Sequence, residues 1–361
     1  MRKKWTYAIA SPTSLGIRIA PTEFQLVQDS ETVFLQATSA ESNTLSIPAA
    51  LGLPVKALAK FVKDDPISRY IRRDMESRGI TCANVFEERE SPWGLRHPCN
   101  IASSGFGLRG PRVCNDRAGE LGRTVKAEDF DPETLFGKEG VAILHVSGLI
   151  CSLSEQSAQC CLDLAKIAKK YGTLISFDTN YRASLWKGRE EVLLAKFHEI
   201  ASIADILFGG DILVEKREKA EPYFGLKFTD DKSRVEGAKF LLKKAQEGYP
   251  SAHTLVSTMR EVISVNQHSF GAVVLEKGCY TTLDPHTMLV YDRIGGGDAF
   301  AGGFLYSTVK GWEMEKRLAF GWGCAALVSG LADDYGLPAR EDVIWKLQAE
   351  DEAWISDKAF Q

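Results

Sequence analysis

The sequence has no long cationic block and no long apolar run, and each absence excludes a class of function. Its 361 residues carry a formal net charge of -4, and no run of Lys and Arg could form a basic stripe, so nucleic acid is not the expected partner. No segment approaches about 18 uninterrupted apolar residues, so we expect no membrane span. A basic opening at Lys3 and Lys4 precedes an apolar run that Ser11 and Pro12 interrupt before it reaches the length of a secretory signal, which predicts a cytoplasmic protein.

Motifs of several common enzyme classes are also missing. The eight cysteines form no CxxC pair and no cluster with histidine at zinc spacing, and we interpret them as reduced, mostly buried thiols. No GxGxxG with an acid about 20 residues later follows the first predicted strand, so the fingerprint of an NAD-binding domain is absent. With 44% hydrophobic and 25% charged residues, the composition is typical of a soluble globular enzyme, and the absence of a basic stripe makes a small molecule the expected ligand.

The most informative motif present is a glycine triplet followed by an acid, in residues 292–298 (DRIGGGD). Glycine adopts backbone angles that other residues avoid, so Gly295, Gly296 and Gly297 can turn successive N–H groups toward one point. The run of small apolar residues after the triplet is typical of a helix, whose N-terminus adds a positive dipole end. The segment therefore predicts an anion site for a transferred phosphate, with Asp298 able to take a proton from a hydroxyl nucleophile.

Strands and helices alternate from about residue 141 onward. The apolar run at 141–146 predicts a strand that is buried on both faces. Further strands are predicted at 173–178, 204–208 and 253–257, and helices from the N-cap Ser154 to Lys170 and near 190–200 and 235–246. This alternation predicts an α/β fold with a mostly parallel sheet between two layers of helices. Ligands of such sheets bind beyond the carboxyl ends of the strands, where Asp178, Ser257 and the glycine triplet fall.

The first 120 residues have a different pattern, with short β-rich segments such as 15–20 and 32–37. We interpret segments of about 13–40 and 88–125 as a small β-sheet lid inserted on the α/β core, with residues 1–361 forming a single domain. Open lids leave strand edges exposed, and a second subunit commonly covers such edges. The pattern therefore predicts a homodimer that forms through the lid.

Residues 292–304 resemble the C-terminal signature of the ribokinase-like (PfkB) carbohydrate kinases, and three glycines after Asp-Arg-Ile are typical of the 2-keto-3-deoxygluconate kinase branch. Three more segments are similar to that branch and follow in the expected order, at 115–119 (NDRAG), 178–186 (DTNYRASLW) and 257–264 (STMREVIS). The matches extend over nearly the whole chain. The resemblance implies a ribokinase-like three-layer fold, ATP and Mg²⁺ as cofactors, and phosphorylation of 2-keto-3-deoxygluconate or a closely related sugar acid.

The resemblance also implies roles for individual residues. Asp298 would be the catalytic base beside an anion hole formed by the triplet. Arg182 would contact the sugar acid or the nucleotide phosphates, and Arg117 would reach the substrate from the lid, because a guanidinium group donates paired hydrogen bonds to carboxylates and phosphates. The residues expected around the nucleotide are Asn180, Arg182, Ser257, Arg260, Gly295 and Gly297. Asp334 has two open roles, as a substrate contact or as a helix cap.

The substrate side departs from the branch pattern. Where the branch has Gly-Gly-Ala-Glu-Xaa-Asn, this chain has residues 38–43 (TSAESN), and the lid tyrosines of the branch are replaced. The residues expected at the substrate positions are Ser39, Glu41, Asn43, Ile101 and Asn115, while Thr13 and Ser14 replace a Gly-Glu pair. Side chains in place of glycine predict a pocket that is smaller or differently hydrogen-bonded.

A further departure concerns the metal. The branch usually carries Asn-Xaa-Xaa-Glu after the strand that ends here at Phe208, and the acid supports magnesium through water. Asp211 or Glu215 could substitute for it, because Mg²⁺ keeps most of its waters; weak turnover is the alternative.

Two other functions therefore stay open. One is a kinase of the same fold for a neutral sugar such as fructose or ribose, for which Arg117 and Arg182 should matter less. The other is a kinase-derived binding or regulatory protein with weak activity, although the intact glycine triplet and Asp298 argue against it.

Overall fold

The computed structural model describes residues 5–213 and 231–332, and a nine-stranded sheet lies at their centre. Its strands, in order across the sheet, are β15 (Cys279–Leu289), β14 (Gln267–Glu276), β13 (Thr254–Ser264), β12 (Ile206–Phe208), β11 (Leu174–Asp178), β10 (Val141–Ser147), β1 (Tyr7–Pro12), β4 (Val55–Leu58) and β6 (Ile80–Cys82). The strands from β13 to β6 are parallel, whereas β14 and β15 extend the sheet in antiparallel pairing. The loops after the parallel strands therefore meet at one edge of the sheet.

Consecutive residues of the buried strands enter two different cores. In β10, Ile143 belongs to one core and Leu144 to the other, and in β12 the same holds for Ile206 and Leu207. A strand covered on both faces needs apolar side chains at nearly every position, which explains why these segments are continuous apolar runs. Each such side chain contributes about 1.5–3 kcal/mol when it is fully buried.

Helices cover both faces of this sheet. They are α1 (Ala40–Ala50), α2 (Pro66–Ser77), α3 (Gly148–Cys151), α4 (Glu155–Lys170), α5 (Ala183–Trp186), α6 (Glu190–Ala201), α7 (Asp231–Gly248), α8 (Gly296–Lys310) and α9 (Met314–Ser329). Leu164 of α4 and Phe197 of α6 pack in one core, and Leu45 of α1 and Phe304 of α8 pack in the other. The predicted arrangement of a mostly parallel sheet between two helical layers is confirmed. Within the described residues, no helix combines the length and the apolar character that a membrane span needs.

Local signals in the sequence placed several of these elements correctly. Ser154 is the N-cap of α4, where its hydroxyl accepts a hydrogen bond of 3.0 Å from the backbone N–H of Ser157. The helix ends at Lys170, and Gly172, with a φ of +79°, lets the chain turn into β11. Such caps and turns depend on a few neighbouring residues, so they are readable without knowledge of the tertiary structure.

One predicted strand is longer in the structure than the sequence pattern indicates. The strand predicted at 253–257 continues to Ser264 as β13 and pairs with β14. The next hairpin turns at Lys277 and Gly278, whose φ values of +52° and +81° fit the two-residue turns that match the twist of paired strands. A non-glycine residue rarely adopts positive φ, so Lys-Gly is a weaker sequence signal for this turn than Asn-Gly.

A second sheet of four strands lies against the carboxyl edge of the main sheet. In spatial order its strands are β3 (Val33–Thr38), β2 (Gly16–Pro21), β8 (Cys99–Ser103) and β9 (Arg112–Asp116). All four fall within the segments interpreted as a lid, and we call this element the lid sheet. A separate pair is formed by β5 (Lys60–Val62) and β7 (Val85–Glu87).

Candidate active site

A cavity of about 1010 Å³ opens between the lid sheet and the carboxyl edge of the main sheet. Asp178 at the end of β11, Phe208 at the end of β12 and Val256 in β13 line one side, and Gly16 and Asn115 of the lid sheet line the other. This volume is at the upper end of the range for small-molecule sites. Since open α/β sheets bind their ligands at this edge, the cavity is the candidate active site.

The glycine triplet forms the N-terminus of α8 beside this cavity. Gly295 has a φ of +83°, a left-handed conformation that glycine adopts without strain, and it precedes the first residue of the helix. A Cβ atom at Gly296 would lie 2.8 Å from Ser329 Oγ, whereas a Cβ at Gly297 would meet no atom within 4 Å. Gly296 therefore packs against α9, while Gly295 and Gly297 line the cavity. Unpaired N–H groups at this helix start suit an anion.

Asp298 lies half-buried in the first turn of α8, and its Oδ2 accepts a hydrogen bond of 3.0 Å from Asn43 Nδ2. Burial is the largest influence on this carboxyl group and raises the pKa of Asp298 to about 8. The Asn43 hydrogen bond and the charge of Arg182 lower this pKa. The carboxylates of Asp178 and Glu41 add to the rise. A carboxyl group that exchanges its proton near neutral pH suits a general base.

Asp178 supplies a second carboxylate to the cavity. Its Oδ1 accepts a hydrogen bond of 2.9 Å from the backbone N–H of Asn180, whose φ is +37°. Burial raises the pKa of Asp178 to about 6, against the lowering effect of this hydrogen bond and of Arg182. Asn180 Oδ1 is buried and has no hydrogen-bond partner among the described residues. A buried acceptor without a partner is costly, so a ligand that donates to it would be favoured.

Three arginines line the part of the cavity near the triplet. Arg182 is exposed, and its Nη1 donates to the carbonyl of Tyr181 at 3.0 Å. The pKa of Arg260 is lowered by burial and by the positive charges of Arg293 and Arg182, which indicates that these two guanidinium groups repel that of Arg260. A bound polyanion would relieve this repulsion. Arg293 was not predicted as a site residue, although its position two residues before Gly295 could have indicated that it lies at the anion site.

The lid side of the cavity is polar. Asn100 Nδ2 donates a hydrogen bond of 2.7 Å to Asn115 Oδ1 between β8 and β9. Arg117 Nη1 donates to Glu120 Oε1 at 2.6 Å, and the same oxygen accepts a hydrogen bond of 2.6 Å from Ser14 Oγ. Glu120 is buried and was not predicted; nothing in its sequence neighbourhood distinguishes it from a surface acid. It holds the guanidinium group of Arg117 at the cavity wall.

The segment that replaces the expected glycines forms the start of α1. Ser39 is the N-cap, and its hydroxyl accepts from the backbone N–H of Ser42 at 2.9 Å. Ser39 and Asn43 line the cavity. Glu41 does not: it is fully buried, its Oε2 accepts from Thr13 Oγ1 at 2.9 Å, and burial raises its pKa. Glu41 therefore acts on the site through its charge and its hydrogen bonds rather than by direct contact.

The structure brings most of the predicted residues to the cavity wall and places others nearby. Those at the wall are Ser39, Asn43, Asn115, Arg117, Asn180, Arg182, Arg260, Gly295, Gly297 and Asp298. Ile101 lies outside the wall, and Asn100, one position earlier and paired with Asn115, takes the cavity-facing place. Side chains alternate along a strand, so a register error of one residue exchanges the two faces. Ser257 is buried between the cavity-lining residues Val256 and Thr258.

The residues proposed for metal support cannot be placed in the same way. Asp211 belongs to a 3-10 helix at Gly210–Leu213, but its side chain lies outside the described part of the structure. Glu215 and Asp334 also lie outside the described residues. In the two described ranges, no group of three or more His, Cys, Asp or Glu side chains gathers closely enough to hold a metal ion by itself.

Comparison with known proteins gives a consistent result. Residues 112–333 match the sequence profile of the pfkB family carbohydrate kinase. A 2-dehydro-3-deoxygalactonokinase of Haloferax volcanii is 24% identical over 329 residues, which cover 91% of this chain and 92% of the relative. The crystal structure of 2-dehydro-3-deoxygluconokinase from Thermotoga maritima is similar with a TM-score of 0.81 at 23% identity, covering 95% of this chain and 98% of that chain. A putative ribokinase II from E. coli, in complex with ATP and Mg²⁺, is similar with a TM-score of 0.72 at 14% identity, covering 95% and 99% of the two chains. These structural likenesses confirm the expected ribokinase-like fold.

Proposed function

The chain belongs to the pfkB family of carbohydrate kinases, and we propose that it transfers the terminal phosphate of ATP to a hydroxyl group of a 2-keto-3-deoxy sugar acid. One observation carries this proposal: a carboxyl group with a pKa raised to about 8, Asp298, lies directly after an anion-binding glycine turn in a cavity that also holds Arg182, Arg260 and Arg293. The relatives from H. volcanii and T. maritima are named for two such acids. We take 2-keto-3-deoxygluconate as the first substrate to test.

Asp298 is the proposed general base. Its carboxylate takes the proton as the O–H bond of the sugar breaks, the freed oxygen attacks the terminal phosphorus, and the bond between that phosphorus and the leaving oxygen of ADP breaks. Asn43 holds the carboxylate by its hydrogen bond of 3.0 Å. A pKa near the working pH gives the carboxylate both a useful deprotonated fraction and a strong affinity for the proton.

The triplet and the arginines are the proposed phosphate contacts. The N–H groups at Gly295 and Gly297 would hold the transferred group where its charge develops, and Arg182, Arg260 and Arg293 would neutralise the remaining phosphates. Preorganised donors of this kind cost no reorganisation during the reaction, so they lower the barrier rather than only improving binding.

The described residues fit a magnesium–nucleotide complex better than a metal held by protein alone. The carboxylate of Asp178 and the partnerless Oδ1 of Asn180 offer oxygen atoms near the arginines, and Mg²⁺ usually keeps several waters and binds through substrate phosphates and one or two carboxylates. When bound, the ion would neutralise charge on the phosphates. Asp178 and Asn180 are thus the residues that would support it.

The lid side would receive the sugar acid. Arg117, Asn100, Asn115 and Ser39 line this side, and a guanidinium group matches a carboxylate geometrically. Arg117 is held by Glu120 at 2.6 Å, so a substrate carboxylate would share the cation with that buried acid. This arrangement supports a modest contribution of Arg117 to affinity and a larger one to orientation.

We also propose that the protein is a homodimer that pairs through its lid sheet. Ile19 and Leu35 are paired across β2 and β3, and Leu35 and Val33 are 36% and 48% exposed. At the other edge of the sheet, every residue of β9 is exposed. A second lid sheet would cover apolar side chains and an open strand edge together.

A coupled assay of ADP release tests the substrate. The panel contains 2-keto-3-deoxygluconate, 2-keto-3-deoxygalactonate, gluconate, fructose, ribose and a nucleoside, with Asp298→Asn as the blank. We expect turnover with a keto-deoxy acid and little with the neutral compounds. Turnover confined to fructose or ribose would replace the substrate class, and binding of a sugar acid without turnover would favour the regulatory alternative.

A further inference from the structure

A buried ion pair joins the lid sheet to the segment that leads into the glycine turn. Arg18 lies in β2 of the lid sheet, and Asp292 lies three residues before Gly295. Arg18 Nη2 contacts Asp292 Oδ2, and each side chain is only 1% exposed. The desolvation of two charges offsets most of their attraction, so a pair buried this completely contributes little to stability and is better explained by a positioning role.

Asp292 transmits this contact to the turn. Its Oδ1 accepts a hydrogen bond of 3.0 Å from the backbone N–H of Ile294, the residue directly before Gly295. The N–H of Asp292 itself donates to the carbonyl of Ser329 at 3.2 Å, which anchors the segment on α9. One carboxylate therefore faces the lid sheet with one oxygen and the start of the anion-binding turn with the other.

Further hydrogen bonds connect the lid region to the main sheet on the same side. Ser104, which follows β8, donates through its hydroxyl to Asp292 Oδ2 at 2.9 Å. Asn266, in the turn between β13 and β14, donates through Nδ2 to the carbonyl of Gly105 at 3.2 Å and accepts from the N–H of Gly107 at 3.0 Å. This side of the lid sheet is thus held by polar contacts to the segment around the turn, and such contacts can form and break as a unit.

We propose that Arg18 is a positioning residue that couples the seating of the lid sheet to the backbone of the glycine turn through Asp292. A phosphate that fixes the turn also fixes the carboxylate that Arg18 and Ser104 must meet, so nucleotide binding and lid seating favour each other. The inference rests on the proposed nucleotide site. Its consequence is that the nucleotide alone tightens the lid sheet before any sugar is present.

Hydrogen exchange with the Mg²⁺ complex of a non-hydrolysable ATP analogue tests this coupling without knowledge of the sugar. In the unmodified protein, the analogue should slow amide exchange in residues 292–298 and also in β2 and β8, by about fivefold or more, the lower end of common coupling factors. In the double variant Arg18→Met/Asp292→Asn, which removes both charges of this pair, the slowing of amide exchange should persist in 292–298 and disappear from β2 and β8. Analogue affinity by calorimetry should fall by about the same factor.

Three further variants separate positioning from a general loss of structure. Arg18→Lys keeps a cation and should keep the response of β2. Ser104→Ala removes one hydrogen bond to Asp292 and should weaken the response even if the double variant does not fold. As a matched control, Arg78→Met/Asp74→Asn removes a different pair, which holds Ala37 of β3 by hydrogen bonds of 2.6 and 3.1 Å. It should speed exchange in the lid sheet but leave the response to the analogue intact.

The outcomes distinguish this inference from the proposed function. If the analogue slows amide exchange in residues 292–298 of the unmodified protein but not in β2 and β8, the coupling is overturned and the kinase assignment stays in place. An unchanged response in the double variant and in Ser104→Ala would overturn the role of Arg18. Failure of the unmodified protein to bind the analogue would overturn the phosphate site, and both proposals with it.

Discussion

Asn43 Nδ2 lies 3.0 Å from Asp298 Oδ2 and joins α1 to the first turn of α8 across 255 positions of the chain. The amide donates to Oδ2 of the carboxylate and so restrains the orientation of the Asp298 side chain. Because Asn43 also lines the cavity, this contact links the substrate wall to the proposed base.

Replacement of Asp298 by Asn should abolish phosphoryl transfer while leaving nucleotide binding nearly intact. The change removes the proton acceptor but keeps the size of the side chain and the glycine turn, so we expect a loss of about 10²–10⁴-fold in kcat. Steady-state kinetics and calorimetry with a non-hydrolysable ATP analogue measure the two effects. Asp163→Asn on α4, outside the cavity, is the control; turnover of Asp298→Asn at the rate of that control would remove Asp298 from the mechanism.

The pH profile of kcat/KM should rise with pH and level off above about 8, because the deprotonated form of Asp298 is the active one and burial raises its pKa to about that value. The Asn43 hydrogen bond lowers this pKa, so Asn43→Ala should move the acidic limb of the profile to higher pH. A profile with no limb between pH 6 and 9, or a limb that moves to lower pH in Asn43→Ala, would contradict the assignment.

Alanine at Gly296 should lower the stability of the protein, whereas alanine at Gly297 should weaken the binding of ATP. At Gly296 a new Cβ would lie 2.8 Å from Ser329 Oγ, so Gly296→Ala should lower Tm, and Ser329→Ala should restore much of the loss. At Gly297 the Cβ meets no atom within 4 Å, so Gly297→Ala should keep the Tm but raise the KM for ATP by filling the anion site. Thermal unfolding and kinetics separate the two; the reverse pattern would be incompatible with the described turn.

Loss of the Arg182 charge should weaken binding of an anionic ligand. Charge-assisted hydrogen bonds contribute about 1.5–3 kcal/mol, so Arg182→Met should raise the KM for ATP or for the sugar acid by about 10–150-fold. Arg182→Lys keeps the charge but not the paired hydrogen-bond geometry, so its KM should lie between the values of the unmodified protein and of Arg182→Met. Measuring both KM values shows which ligand Arg182 contacts, and unchanged values for both would exclude it from the site.

A charge on the apolar face of the lid sheet should disrupt the proposed dimer. Leu35 is 36% exposed and neighbours Ile19 across β2 and β3, so Leu35→Glu would place a carboxylate in the interface, where desolvation is costly. Light scattering at micromolar concentration should show a dimer for the unmodified protein and a monomer for the variant. Glu88→Gln, at an exposed ion pair with Lys63, serves as a control, and a monomeric unmodified protein would rule out this interface.

The sequence was sufficient for features that depend on neighbouring residues. The triplet and Asp298 are adjacent in the chain, so their shared position at the start of α8 follows from local backbone preferences. The apolar runs of β10 and β12 show their burial because both faces of the strand must be covered. Such signals need no knowledge of what lies across the fold.

Features that depend on distant partners were missed or misplaced. Glu120 has the same sequence signature as a surface acid, and only the fold brings it within 2.6 Å of Ser14, which lies 106 positions earlier in the chain. Asn100 faces the cavity where Ile101 was expected, because strand register is set by pairing with β9. The Arg18–Asp292 pair joins residues 274 positions apart, and no local pattern in either segment points to the other.

The central place of β1 has a consequence for how the chain is made. Ile9 pairs with Val55 on one side and with Ile143 on the other, so one edge of β1 stays open until β10 has left the ribosome. An apolar strand with an open edge invites mispairing. We therefore expect nascent chains stalled before residue 141 to bind chaperones. Nascent chains stalled after β11 should bind them less.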